Sequence, residues 1–491
     1  MNEGLWLGVD AGTTRTKAVL FDNQGAPVAD AVCHVKAHYP QSGWVEQDPN
    51  DLVSAVIATI HEILHDPRRL GNPVHGMGLA NQGETVVAWD AKTGQALAPA
   101  IVWQCRRTFA ICEQLRGSGL EPFIQSISGL PIDPYFSSTK MQWLLQEVPA
   151  VQDARRAGTL RLSTTDSWIL WHLLEDPLYI TDIATASRTQ LLDLTQGTWS
   201  DELLNVFNVQ RGELPTIVPN SGVVGVLKPS LAGERVPVSG LAVDQQAALF
   251  GHGCHKAGQA KVSYGTGAFL LANVGSQRPE AKGVLPTIAW QLGDERVTYA
   301  LDGGVFTAGA AIEWLVDLGL LQSPEDAGLV AGTPEDDQLV MVPALAGLGA
   351  PWWDPSARGI LLGIHRGTCR DQIIQAALRG IAHRIDDIVQ ALDMVGHPLT
   401  ELRCDGGPSR NPYLMQYQSD ITGLKVQVTA IEDLAALGVA KMAALAFNIG
   451  IGNGGGTFVG SYEPTRDKLW RSHARHRWSE AIKRGGQWST M

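Results

Sequence analysis

Apolar and polar positions alternate in three short runs at the start of the chain, 5–9, 16–21 and 27–35. Each run predicts a strand. The turn sequence Asp22-Asn23-Gln24-Gly25 separates the second from the third, so the opening reads as hairpins with no helix between them. A helical stretch is predicted at 49–65, then strands at 74–80 and 85–89. From 101 to 175 the pattern is mainly helical, including 139–146. The stretch 233–243 reads as loop and short strand, leading to Asp244 and the helix-prone Gln245-Gln246-Ala247-Ala248-Leu249-Phe250. Further on, Ile374, Leu378, Ile381, Ile385, Ile388 and Leu392 form one apolar stripe of a long helix, with Asp371 near its start. Leu402-Arg403-Cys404 predicts a strand ending at Asp405-Gly406-Gly407, with a helix from Pro412.

Strands and helices thus alternate in the manner of an α/β protein. The length of 491 residues exceeds the ~250–300 at which single cores stop growing, so two or more domains are expected. Glycine and histidine interrupt the pattern at 251–258, where a fresh strand–turn–strand begins, and this divides the chain into 1–250 and 251–491. A net charge of −12 argues against a nucleic-acid partner, since no basic excess exists to release counterions. The basic cluster 471–484 reads as a solvated helix face. The first residues show neither a basic n-region nor a long apolar h-region, and no apolar run approaches ~18 residues, so neither a signal peptide nor a membrane span is expected. Six cysteines without a CxxC pair fit a reduced, cytoplasmic protein.

Candidate chemistry begins with two related turns, LWLGVDAGTTRTK at 5–17 and VSYGTGAF at 262–269. Each passes from an apolar strand into glycine and threonine. Glycine lets backbone approach an anion, threonine adds a hydroxyl donor, and successive N–H groups can form an anion nest. Asp10 ends the first apolar run and can hold Mg²⁺ through its waters. Two such turns imply two halves gripping one polyphosphate, hence phosphoryl transfer. A glycine pair at a strand end, Gly406-Gly407, followed by Asn411, is where a nucleotide can lie against backbone. The sequence GxxxxGK[ST] is absent, which excludes a P-loop. The glycine-dense 450–456 lacks a flanking strand and a lysine and is expected to be a surface loop. Asn81-Gln82-Gly83-Glu84 places polar side chains at a strand end, and Glu84, Trp103, Tyr135 and Asp244 are candidates for a polyol pocket, with acceptors for hydroxyls and an aromatic wall for C–H faces. His61-Glu62-Ile63-Leu64-His65 matches the zinc-protease HExxH, but Asp66-Pro67 ends the helix and no third-ligand motif is near.

The segments DAGTT (10–14), GWVEQDP (43–49), NQGET (81–85), AIVWQCRRT (100–108), GLPIDPYFSSTKMQWLL (129–145), TDIATASRT (181–189), VDQQAALFG (243–251), YGTGAFLL (264–271), GLGAPWWDPSARG (347–359) and DGGPSRN (405–411) carry a resemblance over essentially the full length. The chain resembles the FGGY carbohydrate kinases, and the glycerol kinase branch in particular. The resemblance implies an actin–hexokinase, ribonuclease H-like architecture, with two α/β domains closing on ATP and substrate, and transfer of the γ-phosphoryl of MgATP to a terminal hydroxyl. It makes Asp244 the general base and Asp10 the carboxylate near Mg²⁺. Thr13, Thr14, Thr266 and Gly267 match phosphate contacts, and Gly309, Gly407 and Asn411 match nucleotide contacts. Lys17 is a candidate positive charge near the phosphates, and Glu313 stands where glycerol kinases carry glutamine near the nucleotide. Glu84, Trp103, Tyr135, Gln245 and Phe269 match a glycerol pocket.

Gly83 departs from the pattern, because glycerol kinases carry a substrate-binding arginine there. Its absence removes a fork of donors and opens space for a longer acceptor. Glycerol is therefore the first expected substrate, and a four- or five-carbon polyol or ketopentose the second. A catalytically silent sugar or nucleotide sensor on the same fold is the alternative of another class, against which Asp10, Glu84 and Asp244 are all present. A homo-oligomer, dimer or tetramer, is compatible with the resemblance.

Overall fold

The structure, a computed structural model, describes residues 4–69, 71–452, 458–486 and 488. Of the glycine-dense stretch, 453–456 lies outside the described residues. The chain forms two compact units. The first comprises Met1–Gly253, Thr287–Tyr299 and Asp433–Gly456; the second comprises Cys254–Pro286, Ala300–Glu432 and Thr457–Met491. The division expected from sequence, 1–250 and 251–491, differs in that 287–299 and 433–456 return to the first unit. A local pattern cannot show such a return, because tertiary contact alone creates it.

In the first unit, β1 (Leu5–Ala11), β2 (Arg15–Phe21) and β3 (Pro27–His34) form the expected antiparallel ribbon. Asp22 closes its second turn by accepting from the N–H groups of Gln24 and Ala26 at 2.9 and 2.8 Å. Helix α1 (Pro49–Leu64) starts where Asp48 accepts from Asn50 N and Pro49 occupies the first turn. Its buried face, Leu52, Val53, Val56, Ile60 and Ile63, joins the core beneath the sheet. Then come β4 (Val74–Asn81), β5 (Val86–Asp90), α2 (Phe109–Gly117), α3 (Ser137–Glu147), β6 (Ser221–Val226), β7 (Pro237–Val243) and α4 (Asp244–Gly251).

The main sheet has the order β6-β7-β4-β1-β2-β3. Its three central strands β7, β4 and β1 are parallel, and their register sets Ala11 and Val243 on either side of Asn81. The carboxyl ends of three strands therefore open side by side, the usual place for a ligand in an α/β sheet.

The second unit contains β8 (Gln259–Tyr264), β9 (Ala268–Gly275), α5 (Gly309–Asp317), α6 (Arg370–Met394), β10 (Glu401–Asp405), α7 (Pro412–Thr422) and β11 (Lys425–Thr429). After α8 (Leu434–Leu445), which belongs to the first unit, β12 (Phe458–Tyr462) and α9 (Lys468–Gly485) complete it. Strands β9-β8-β10-β11-β12 stand in that order, with β8, β10 and β11 parallel. The predicted stripe of α6, from Ile374 to Leu392, is buried at every position.

Helix α8 packs on the first sheet at backbone distance. Gly8 of β1, Gly78 of β4 and Gly240 of β7 are paired in register, a row of three glycines across the centre of the sheet. A Cβ at Gly8 would stand 2.0 Å from Ala436 O, one at Gly78 2.1 Å from Val439 O, and one at Gly240 2.3 Å from the same oxygen. On its other side α8 meets α4, where a Cβ at Gly438 would stand 1.9 Å from Ala247 O. No side chain fits at these positions, so even a methyl group must separate helix from sheet. Overpacking of this kind typically costs about 1–3 kcal/mol. Gly78→Ala should therefore lower the urea midpoint by at least that equivalent. Gly117→Ala, at an exposed position of α2 where a Cβ meets nothing within 4 Å, should leave it unchanged or raise it slightly. Equal midpoints for the two variants would remove the glycine row from the account.

Candidate active site

Asp244 is the first residue of α4, immediately after β7, with Val243 as N-cap. Its Oδ1 accepts from Gln245 N at 2.7 Å, and the positive end of the helix favours its carboxylate. Gln245 beside it is partly exposed. Asp10 sits near the end of β1, one strand beyond β4. Its Oδ1 is enclosed without a hydrogen-bond partner. Burial, reinforced by Asp244, pushes its pKa up to about 7, with Asp433 adding to the rise and Arg15 opposing it. An enclosed carboxylate oxygen without a partner is the setting a divalent cation would complete. Among the described residues no group of three or more His, Cys, Asp or Glu is arranged around a metal. A cation at Asp10 would thus draw most of its ligands from water and phosphate, as Mg²⁺ commonly does.

The turn after β4 carries the acceptor candidates. Glu84 is buried and holds a left-handed backbone at φ 59°. Its Oε1 accepts from Arg188 Nε at 2.7 Å, both side chains being almost fully enclosed. Burial raises the Glu84 pKa, and Arg188 resists that rise. The Arg188 guanidinium also stands 5.8 Å from the centre of the Tyr135 ring, which meets Trp103 edge-on at 5.7 Å. Gly83 is buried, and a Cβ there would stand 2.9 Å from Val243 Cγ2. Outside the adjoining residues, no other atom would lie within 4 Å of that Cβ.

A hydrogen-bond chain ties this turn to the turn of Thr13. Trp103 Nε1 donates to Thr13 Oγ1 at 2.9 Å, and Thr13 Oγ1 donates to Gln82 Oε1 at 3.1 Å. Gln82 Nε2 donates to Gln47, whose Nε2 returns to the Thr13 carbonyl at 2.6 Å. Thr85 Oγ1 also donates to Gln82 Oε1. The Thr13 hydroxyl is engaged on both sides, while neighbouring Thr14 is exposed. Lys17 is engaged too. Its ammonium pairs with Asp433 at 2.8 Å and Asp30 at 3.7 Å, so it reaches a phosphate only by leaving them.

In the second unit three expected nucleotide segments meet. Gly309 N donates to Gly265 O, and the N–H groups of Ala308 and Ala310 donate to Thr266 O. The turn of Thr266 and Gly267 is thereby fixed to the start of α5. Gly406, at φ 87°, presses on the same turn, since a Cβ there would stand 1.9 Å from Tyr264 O. Beside Gly407 a Cβ would meet nothing within 4 Å, leaving open space against bare backbone. Asn411 caps α7 by accepting from Leu414 N at 3.1 Å. Glu313 is exposed on α5, and Phe269 lies on β9 with its ring near Gly304.

Sequence reasoning named neither Arg188, Lys140 nor Asp433 for a role. Arg188 and Lys140 lie within segments that carry the resemblance, whereas Asp433 had no local signal because only the return of α8 brings it to Lys17. The histidines of the HExxH match stack on each other at 4.3 Å, with His65 Nδ1 against the His61 carbonyl.

Residues 5–251 match the N-terminal domain of the FGGY family of carbohydrate kinases, and residues 260–447 its C-terminal domain. The chain is 42% identical to the glycerol kinase of Symbiobacterium thermophilum, over 91% of this chain and 90% of that one. It is 40% identical to the glycerol kinase of Halorhodospira halophila, over 99% and 98%. The crystal structure of Plasmodium falciparum glycerol kinase with ADP superposes with a TM-score of 0.93 at 29% identity, covering 98% of each chain. With both domain models matched in order along the chain, the protein belongs to the FGGY family of carbohydrate kinases.

Proposed function

We propose that this kinase transfers the γ-phosphoryl group of MgATP to a terminal hydroxyl of glycerol, giving glycerol 3-phosphate. The observation that carries this reading is the convergence at the ends of β1, β4 and β7. A carboxylate at a helix start, Asp244, stands with the Glu84 turn, and Trp103 joins the acceptor wall to the Thr13 turn. Identity of 42% and 40% to glycerol kinases, over 91% and 99% of the chain, supports the same acceptor.

Phosphoryl transfer asks little covalent chemistry of the protein, so positioning and charge neutralisation dominate. Glu84, oriented by Arg188, accepts from acceptor hydroxyls, while the edge-on pair Trp103 and Tyr135 covers the C–H face. Gln245 and Phe269 are further acceptor contacts in this reading. Asp244 takes the hydroxyl proton as the new P–O bond forms. The turns of Thr13-Thr14 and Thr266-Gly267 receive polyphosphate, and Gly309, Gly407 and Asn411 receive the nucleoside. Lys17 and Glu313 are assigned to the nucleotide side, Lys17 upon release from Asp433. Asp10 would hold Mg²⁺ through water, and the ion would neutralise charge on the phosphates. No helix among the described residues is long and apolar enough to cross a membrane. All six cysteines are unbridged, which supports a cytoplasmic location.

Two measurements test this reading. Over a panel of glycerol, erythritol, xylitol and xylulose, kcat/KM should be highest for glycerol, and Asp244→Asn should lower kcat by about 10²–10⁴-fold with nucleotide binding retained. A longer acceptor winning would replace the glycerol reading, and near-wild-type turnover of the variant would remove Asp244 as base. Asp10 gives a pH dependence. Below a pKa of about 7 a proton occupies the carboxyl and must be displaced by the cation. Apparent Mg²⁺ affinity should therefore weaken by up to about tenfold per unit as pH falls below 7, and level off above it. Asp10→Asn should flatten that profile, measured as the Mg²⁺ concentration giving half-maximal rate.

A further inference from the structure

Lys140, on the first turns of α3, is fully buried. The positive end of a helix disfavours a cation there, and the described residues place no carboxylate within ion-pair distance of its ammonium. Burial pushes its pKa down to about 7, with the Glu84 charge opposing the fall. An ammonium held under such conditions has strong local bonds, and here all three go to main-chain carbonyls. They are Tyr135 O at 2.5 Å, Phe136 O at 3.1 Å and Glu84 O at 3.3 Å. Three donors thus meet three acceptors drawn from two separate segments. The Glu84 carbonyl also accepts from Ser137 Oγ at 3.2 Å. Glu84 is the residue whose backbone lies at φ 59°, a conformation that residues with a Cβ keep only when their surroundings enforce it.

We propose that Lys140 is a positioning residue for the phosphoryl acceptor. By fastening the main chain of Glu84 to that of Tyr135 and Phe136, it sets the spacing between the Glu84 carboxylate and the Tyr135 ring. It governs acceptor affinity without touching the acceptor. The proposal rests on reading Glu84 and Tyr135 as acceptor contacts. The nucleotide turns lie outside the clamp, so nucleotide affinity is independent of it.

Steady-state kinetics of the full-length enzyme test this. Lys140→Met keeps the aliphatic stem and removes the donors. It should raise the glycerol KM by about 10- to 100-fold while the MgATP KM stays within about twofold. Lys140→Arg should recover part of the loss. Ser137→Ala removes only the second donor to the Glu84 carbonyl and should raise the glycerol KM by about threefold to tenfold. An unchanged glycerol KM in folded Lys140→Met, or equal rises in both KM values, would overturn the proposal. Should Lys140→Met not fold, Ser137→Ala decides: a selective rise in acceptor KM upholds the clamp and an unchanged KM overturns it. The comparison uses whichever acceptor of the panel the unaltered enzyme turns over. A wrong acceptor then shows in the wild type, and a wrong role for Lys140 shows only in the variants.

Discussion

The first unit depends on a helix lying against a sheet with no side chains between them at the centre of the contact. Gly8, Gly78 and Gly240 pave the middle of β1, β4 and β7, and the backbone of α8 rests on that row. The same helix touches α4 through Gly438. These contacts fix the three parallel strands whose ends carry Asp10, the 81–84 turn and Asp244, and the helix that Asp244 begins. They also deliver Asp433, the residue before α8, to Lys17. A segment from near the end of the chain therefore sets both the geometry and part of the electrostatics of residues near its start.

Charge at these strand ends is handled unevenly, and the unevenness is informative. Glu84 has Arg188 against it, and the nearby ammonium of Lys140 is held by carbonyls. Asp10 has an enclosed oxygen with no partner and a carboxyl that holds its proton to about pH 7. In the proposed reading the Glu84 charge is balanced within the chain, whereas Asp10 would be balanced by a cation. The chain Trp103–Thr13–Gln82–Gln47 joins the Trp103 side to the Thr13 turn by hydrogen bonds.

Much of the architecture was legible because it is written in local patterns. The hairpins at the start, α1 with its Asp48-Pro49 entry and the stripe of α6 all follow from period and capping residues close together in sequence. The positions of Asp244 at a strand-to-helix junction and of Gly406-Gly407 after β10 were legible for the same reason. What stayed hidden was long-range. Gly8, Gly78, Gly240 and Gly438 acquire meaning only when paired, and an Ala-rich helix such as α8 gives no sign of the sheet it covers. Lys17 was readable as a charge near a phosphate turn, but its engagement with Asp433 was not. Gly83 was readable as a lost arginine, while Val243, the valine that stands beside it, comes from another strand. Lys140 reads as an ordinary helical lysine until three carbonyls surround it.

In the proposed function the ends of β1, β4 and β7 form one acceptor site with Asp244 as its base. A crystal structure of the enzyme with glycerol and a nonhydrolysable MgATP analogue tests this most directly. Glycerol should lie against Trp103 and Tyr135, with one hydroxyl on Glu84 and its terminal hydroxyl about 3 Å from an Asp244 oxygen. Glycerol bound away from Glu84, or its terminal hydroxyl out of reach of Asp244 with the nucleotide in place, would contradict the account.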